Sequence, residues 1–165
     1  MSKPFNPSEE RPIPTLPDPP PTKEVREYVI GMQMVSGRIR FYFVNRPKAP
    51  DPSADGPLDI RVPSDCLIVL RLDNAFAWEF RHDNAIMFGP MNYPDFVRYC
   101  NLVPEIVNGR CQKVQFNARY LDVEEANRDP YAFYVLLDQQ LSGAPLAEPL
   151  LVRIDPDIID PGDHK

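Results

Sequence analysis

The stretch EVREYVIGMQMVSGRIRFYF, residues 24–43, decides the fold. Large apolar side chains recur at every second position in its first half and again in its second half. These positions are Tyr28, Ile30, Met32, Met34, Ile39, Phe41 and Phe43. Successive side chains of a strand point to opposite faces, so the alternation predicts two strands that each bury one face. Ser36-Gly37 stands between them, and glycine supplies the positive φ of a tight turn, so the stretch predicts a β-hairpin.

The same pattern continues along the chain. The run 66–70 is apolar on both faces, which is typical of a central strand, and Asn108-Gly109 and Ser142-Gly143 predict further turns. Other alternating positions are Leu58, Ile60 and Val62; Phe76, Trp78 and Phe80; Val114, Phe116, Ala118 and Tyr120; Tyr131, Phe133, Val135 and Leu137; and Leu150, Val152 and Ile154. We therefore predict an all-β immunoglobulin- or cupredoxin-like β-sandwich of about seven to nine strands over residues 23–155.

The two ends of the chain differ from this body. Residues 1–22 hold eight of the 21 prolines, which predicts a flexible, disordered proline-rich leader. Within it, Arg11, Pro14 and Pro17 have the Arg-x-x-Pro-x-x-Pro spacing that SH3 domains bind on a polyproline helix. Such spacing arises easily by chance among so many prolines, so recognition motif and linker both remain open. Residues 156–165 are predicted to form a solvated acidic tail.

Charge and composition exclude some classes of protein. Of the net charge of -6, residues 155–165 carry -3 and the leader carries -1, so the body lacks the basic stripe that nucleic acids require. The sequence has no run of eighteen apolar residues, so it predicts no membrane span. It has no apolar segment near the N-terminus, so it predicts no secretory signal. We expect a cytoplasmic protein with three reduced cysteines. Whether Cys100 and Cys111 pair stays open.

Two resemblances follow from these segments. The stretch Leu58–Asn74 resembles the strand-turn-strand of cupredoxins, but Ala75–Trp78 stands where their first copper histidine would fall. This resemblance implies the architecture without the copper site. The C-terminal sequence Ile154-Asp155-Pro156-Asp157-Ile158-Ile159-Asp160-Pro161 resembles the ending of uncharacterised bacterial β-sandwich proteins of the DP-EP type. This second resemblance implies a β-sandwich and a bacterial source, and it implies no activity.

Candidate chemical groups have simpler explanations. His82-Asp83 lies in a predicted turn and is better explained by turn chemistry than by acid–base catalysis. Cys66 follows Asp65 without a nearby base, which favours a buried structural cysteine. The aspartates of the tail lack the glycine and the twelfth-position acid of an EF-hand loop. The stripe of Phe76, Trp78 and Phe80 favours a core face over a sugar-stacking platform. We predict no catalytic residue, no cofactor and no metal ligand.

The remaining hypothesis is a non-enzymatic binding or assembly module that acts through protein–protein contacts, including a homo-oligomer formed through an edge strand. The alternative is a small ligand- or carbohydrate-binding protein, or an enzyme, with its site in the loops 89–110 and 121–130. The candidate ligand or partner contacts there are Asp95, Arg98, Tyr99, Glu124, Glu125 and Arg128.

Overall fold

The computed structural model describes residues 6–19, 22, 24–44, 58–74, 77–89, 97–121, 127–137, 150–154 and 157–160. These residues form twelve β-strands and one short 3-10 helix, Pro7–Glu9. The strands are β1 (Arg11–Pro12), β2 (Glu24–Val35), β3 (Arg38–Phe43), β4 (Ile60–Arg61), β5 (Cys66–Leu72), β6 (Trp78–Phe80), β7 (Ile86–Phe88), β8 (Tyr99–Val107), β9 (Arg110–Ala118), β10 (Asn127–Leu137), β11 (Leu150–Ile154) and β12 (Asp157–Asp160). The predicted all-β sandwich is confirmed, with more strands than expected because several strands have only two or three residues.

The strands form two sheets. One has five strands in the order β3-β2-β5-β9-β8, in which β2 and β5 run parallel and the other pairs run antiparallel. The other has seven strands and is organised around β10, which pairs with β6 and β7 along one edge and with β11 and β12 along the other. Strand β1 extends this sheet beyond β7, and β4 extends it beyond β12.

Apolar side chains of both sheets meet in one core. Trp78 and Phe80 are buried there, and each such side chain stabilises the fold by roughly 1.5–3 kcal/mol. The indole N–H of Trp78 donates to the carbonyl of Asp73 at 2.8 Å, so its polar atom is also satisfied. The inward aromatic stripe is confirmed for these two residues, and Trp78 is not available as a sugar-stacking surface. Phe76 lies outside the described residues.

Two predicted turns are present. Ser36-Gly37 connects β2 to β3, and Asn108-Gly109 connects β8 to β9. All four residues have positive φ, with 50° and 77° in the first turn and 53° and 76° in the second. Two consecutive positive φ angles are the signature of the turn that matches the natural twist of a hairpin. The third predicted turn, Ser142-Gly143, lies outside the described residues.

The leader differs from its prediction over residues 10–16. Arg11 and Pro12 pair with Phe88 and Met87, and Ile13 is buried in the core at 9% exposure. Proline is compatible with this pairing because β1 is an edge strand. Composition alone suggested a free segment, whereas one apolar side chain and a distant partner strand place it against the sandwich.

The predicted acidic tail also needs correction. Residues 157–160 form β12, which pairs antiparallel with Asn127–Pro130 and parallel with Ile60–Arg61. Pro156 and Pro161 flank this strand in the sequence and do not interrupt it. Residues 161–165 lie outside the described part.

We expect Gly109→Ala to destabilise the protein by about 1–2 kcal/mol, because a Cβ is unfavourable at a φ of 76° although no atom lies within 4 Å of its position. Urea unfolding measures the change. Asn108→Gly at the neighbouring position, with its φ of 53°, is the matched control and should be nearly neutral. Equal stability of wild type and Gly109→Ala would contradict the role of this turn.

Candidate functional site

Two of the predicted contact residues, Arg98 and Tyr99, lie together at the start of β8. They meet at Asp129 of β10, whose Oδ2 accepts a hydrogen bond from Arg98 Nη1 at 2.5 Å and another from the Tyr99 hydroxyl at 2.5 Å. Arg98 Nε also donates to the carbonyl of Arg119 at 2.9 Å. Because β8 and β10 belong to different sheets, this ion pair joins the two layers of the sandwich.

Arg98 and Tyr99 are each only 2% exposed, and Asp129 is buried as well. The Tyr99 ring stacks on Phe88 with centroids 4.2 Å apart. The structure therefore places both residues in the interior, and not on a surface open to a ligand. An ion pair buried in this way fixes the positions of the backbone and of the core side chains around it. Its role is structural.

The other predicted contact residues are not brought into this cluster. Asp95, Glu124 and Glu125 lie outside the described residues. Arg128 is in β10, where its backbone is opposite Ile159, and its side chain is not among those described. Arg98 and Tyr99 both belong to the first loop, 89–110, and the residue of the second loop that meets them is Asp129, which was not among the predicted contacts.

Sequence reasoning missed Asp129, although a signal was present. Tyr131, Phe133 and Val135 define the inward face of β10, and extending this period of two backwards places Asp129 on the same face. A carboxylate on an inward face requires a buried partner, because an unpaired buried charge is costly.

We expect Asp129→Asn to destabilise the protein by about 3–5 kcal/mol, because it leaves the Arg98 guanidinium buried without its carboxylate. Equilibrium unfolding in urea measures the loss. Glu27→Gln is the control, since it removes an exposed ion pair with Arg71 (N–O 2.9 Å) and should change stability by at most about 1 kcal/mol. Similar losses of unfolding free energy for the two substitutions would contradict the larger contribution of the buried pair to stability.

All three cysteines are free and buried. Burial raises the pKa of each thiol, and desolvation raises that of Cys66 to about 11 although Arg26 nearby opposes the shift. The carboxylate of Asp65 accepts a hydrogen bond from the Tyr120 amide at 2.8 Å, so it caps the backbone and does not activate the neighbouring thiol. A thiol with a raised pKa is protonated and a poor nucleophile at neutral pH.

The register of the β8–β9 hairpin decides whether Cys100 and Cys111 can form a disulfide. Cys100 lies opposite Asn117 near one end of the β8–β9 hairpin, and Cys111 lies opposite Ile106 near the turn. About six residues of strand separate these positions, roughly 20 Å at 3.3 Å per residue. A disulfide needs Cα atoms within about 7 Å, so this fold does not allow the pairing.

The raised pKa of Cys66 predicts a pH dependence of stability. Between about pH 9 and about pH 11 the unfolded chain releases the thiol proton while the folded chain keeps it, so stability falls as pH rises. The expected loss is about 2–3 kcal/mol across this window. Urea unfolding of wild type and Cys66→Ala at several pH values isolates this contribution, because the other titrating groups are shared. Parallel pH profiles for the two proteins would contradict it.

A second candidate site lies at the other end of the five-stranded sheet. It is a cleft of about 390 Å³ lined by Arg71, Asn74, Glu105, Val107, Asn108, Arg110, Gln112 and Lys113. Arg71 and Glu105 both lie opposite Lys113, so the three form a row across β5, β9 and β8. The cleft is therefore built on sheet residues together with the β8–β9 turn, and every residue that lines it except Val107 has a polar or charged side chain.

The charges of the cleft are largely balanced. Lys113 lies 3.6 Å from Glu105, Arg71 lies 2.9 Å from Glu27, and Arg110 lies 4.0 Å from Glu79. All three pairs are solvent-accessible, so each contributes little to stability and can exchange partners at low cost. Such a surface suits recognition of polar groups better than catalysis.

Apolar side chains are exposed beside this cleft. Val103, Ile106 and Val107 of β8 are 50%, 49% and 59% exposed. The other exposed large apolar side chains among the described residues are Val25, Val44, Val97 and Leu151. Three exposed apolar side chains on one strand next to a cleft differ from isolated exposed residues elsewhere on the sandwich. We call residues Val103–Lys113 together with Arg71 the hairpin surface.

His82 lies 2.7 Å from Glu79 and Asn84 has a φ of 50°, consistent with the predicted turn at residues 82–84. Among the described residues no group of three or more His, Cys, Asp or Glu side chains could hold a metal ion. Nor do these residues include a helix with the length and apolar character needed to cross a membrane.

Comparison with known proteins finds no match to this chain, either among protein-family models or among curated proteins. The class that the structure defines is an all-β sandwich whose polar cleft and exposed apolar strand lie at one hairpin.

Proposed function

We propose that this protein is a binding module that contacts another protein through its hairpin surface. The observation that carries the proposal is the exposure of three large apolar side chains, Val103, Ile106 and Val107, along one edge strand. Clustered apolar side chains at a surface are characteristic of protein interaction sites. Arginines beside them, Arg71 and Arg110, strengthen the proposal, because arginine is enriched at interfaces and forms directed hydrogen bonds.

The strand itself indicates how a partner would bind. Pro104 lies in the middle of β8 and has no amide hydrogen to offer to an added strand. Glu105 is charged, and the register shifts between Cys100 and Val103 and again between Glu105 and Ile106. Such bulges, charges and prolines discourage edge-to-edge pairing. The partner therefore binds to side chains of the hairpin surface and does not extend the sheet.

The cleft supplies the polar part of this contact. Arg71, Arg110 and Lys113 each have a solvent-accessible or partly buried carboxylate nearby, and a partner can replace those carboxylates with its own. We expect apolar side chains of the partner to pack on Val107 while its acidic or amide groups enter the cleft, an apolar centre with a polar rim.

The double substitution Ile106→Asp/Val107→Asp tests the proposal. A partner captured by the full wild-type chain should bind this variant at least about ten-fold more weakly, because two charges would enter an apolar contact. Leu151→Asp is the matched control, since Leu151 is equally exposed but lies on β11 of the other sheet, and it should bind within about two-fold of wild type.

Titration calorimetry or surface plasmon resonance gives the affinities, and circular dichroism confirms that each variant is folded. Unchanged binding by the double variant, or an equal loss in Leu151→Asp, would count against the hairpin surface.

A further inference from the structure

The lining of the cleft differs in charge from the rest of the chain. Of the described residues that line it, Arg71, Arg110 and Lys113 are cationic and only Glu105 is anionic. The whole chain has the opposite balance, with 18 basic and 24 acidic residues and a net charge of -6. The cleft, of about 390 Å³, therefore attracts anions locally on a protein whose overall charge repels them.

Two of these cations are placed side by side by the sheet. Arg71 on β5 lies directly opposite Lys113 on β9, and both side chains line the cleft. Side chains at opposed positions have Cβ atoms roughly 4.5–5.5 Å apart, and like charges there repel each other. An anion between the guanidinium and the ammonium group would relieve this repulsion. The register thus creates a site at which two positive charges face one incoming anion.

The chain's own carboxylates neutralise two of the cations incompletely. Lys113 Nζ lies 3.6 Å from Glu105 Oε2, and Arg110 Nε lies 4.0 Å from Glu79 Oε2. Both distances exceed the roughly 2.7–3.2 Å of an N–H···O hydrogen bond. These two pairs supply attraction without a directed hydrogen bond between the charged groups. An incoming carboxylate can supply both, and charge-assisted hydrogen bonds are the stronger contacts.

Arg110 is oriented by a strand of the other sheet. Its Nη2 donates to the carbonyl of Trp78 at 3.2 Å, and Nε2 of Gln112 donates to the same carbonyl at 3.4 Å. Trp78 is itself fixed in the core. A guanidinium that is already held through one N–H loses less conformational freedom on binding a carboxylate than a fully mobile one does. The cleft therefore presents an arginine that is oriented before a ligand arrives.

An aliphatic side chain in the lining indicates what kind of molecule carries the anion. Glu105, opposite Lys113, and Val107 are two residues apart on β8, so the charged and apolar parts of the cleft are roughly 7 Å apart at 3.3 Å per residue. In an extended peptide, side chains at positions i and i+2 point to one side with the same spacing. An acidic residue with an aliphatic one two positions later matches the cleft. A free phosphate would leave Val107 uncovered.

We propose that the cleft binds an acidic segment of a partner protein, with one carboxylate held between Arg71 and Lys113 and an aliphatic side chain two positions along packed on Val107. The inference rests on the proposed function, since it names the part of the partner that the hairpin surface recognises. Glu105 is the competitor in this arrangement. It lies beside Lys113 in the free protein and gives way to the carboxylate of the partner.

The probe for this site is a short capped peptide of glycine and serine that carries one Glu-Ser-Leu triplet. Added to the full isotope-labelled chain, it should shift the backbone amide NMR signals of Arg71, Val107 and Lys113 saturably. So small a contact should have a dissociation constant of about 1–10 mM. The same peptide with glutamine in place of glutamate should bind at least about five-fold more weakly, because it has no charge to place between the two cations.

Two small anions distinguish a peptide segment from a free acid. N-acetylglutamate amide carries the same carboxylate without the leucine, and inorganic phosphate carries charge alone. Each should bind at least about five-fold more weakly than the peptide, since neither buries apolar surface on Val107. Equal or tighter binding of either anion, or of the glutamine peptide, would overturn the proposal.

Variants of the full chain locate the carboxylate. Lys113→Gln and Arg71→Gln should each weaken binding of the peptide about five-fold, whereas Glu105→Gln should tighten it about three-fold by removing the competitor. The matched controls are Arg40→Gln, at an exposed position of β3, and Glu9→Gln, at an exposed position of the 3-10 helix. Both should bind within about two-fold of wild type. A control that changes affinity as much as its matched variant would overturn the proposal.

The natural partner separates this inference from the proposed function. A partner that loses affinity for Ile106→Asp/Val107→Asp but binds Lys113→Gln as tightly as wild type would use the hairpin surface without a carboxylate in the cleft. That result would overturn the inference and leave the proposed function standing. Binding to Lys113→Gln that is at least about five-fold weaker supports the inference, provided that circular dichroism shows the variant to be folded.

Discussion

Strand β10 is the constraint on which the rest of the structure depends. Four other strands pair with it, so its backbone hydrogen bonds are distributed over both edges and along its whole length. Its inward face carries Tyr131, Phe133 and Val135 into the core. A shift of one residue in its register would turn this face outward and misplace all four neighbours at once.

The buried ion pair extends this constraint to the second sheet. Asp129 lies on β10, and its partners Arg98 and Tyr99 lie at the start of β8. Apolar contacts between two sheets tolerate small displacements, whereas hydrogen bonds to a single carboxylate oxygen require a defined geometry. The polar link therefore fixes how the layers align, and the cost of removing its solvation is offset by the arginine and the tyrosine.

Local pattern determined what could be predicted from the sequence. The alternation of residues 24–43 and the positive φ of Gly37 and Gly109 are properties of neighbouring residues, and the strands and two turns followed from them. The parallel pairing of β2 with β5, and of β12 with β4, joins distant segments whose alternation does not specify a partner. For the same reason the docking of residues 10–16 was missed, because Glu10 and its ion-pair partner Arg153 lie 143 residues apart. Arg98 and Tyr99 were two of the six candidate contacts, but their burial depends on Asp129, which the chain places 31 residues beyond Arg98.

The separation between Glu10 and Arg153 also has a consequence during synthesis of the protein. Glu10 is made first, whereas Arg153 is made 143 residues later. At roughly 5–20 residues per second a ribosome needs about 7–30 s to cover this distance. Throughout that interval Glu10 lacks the arginine that binds its carboxylate. The contacts that hold residues 10–16 on the sandwich are therefore completed last, once the C-terminal strands have been made.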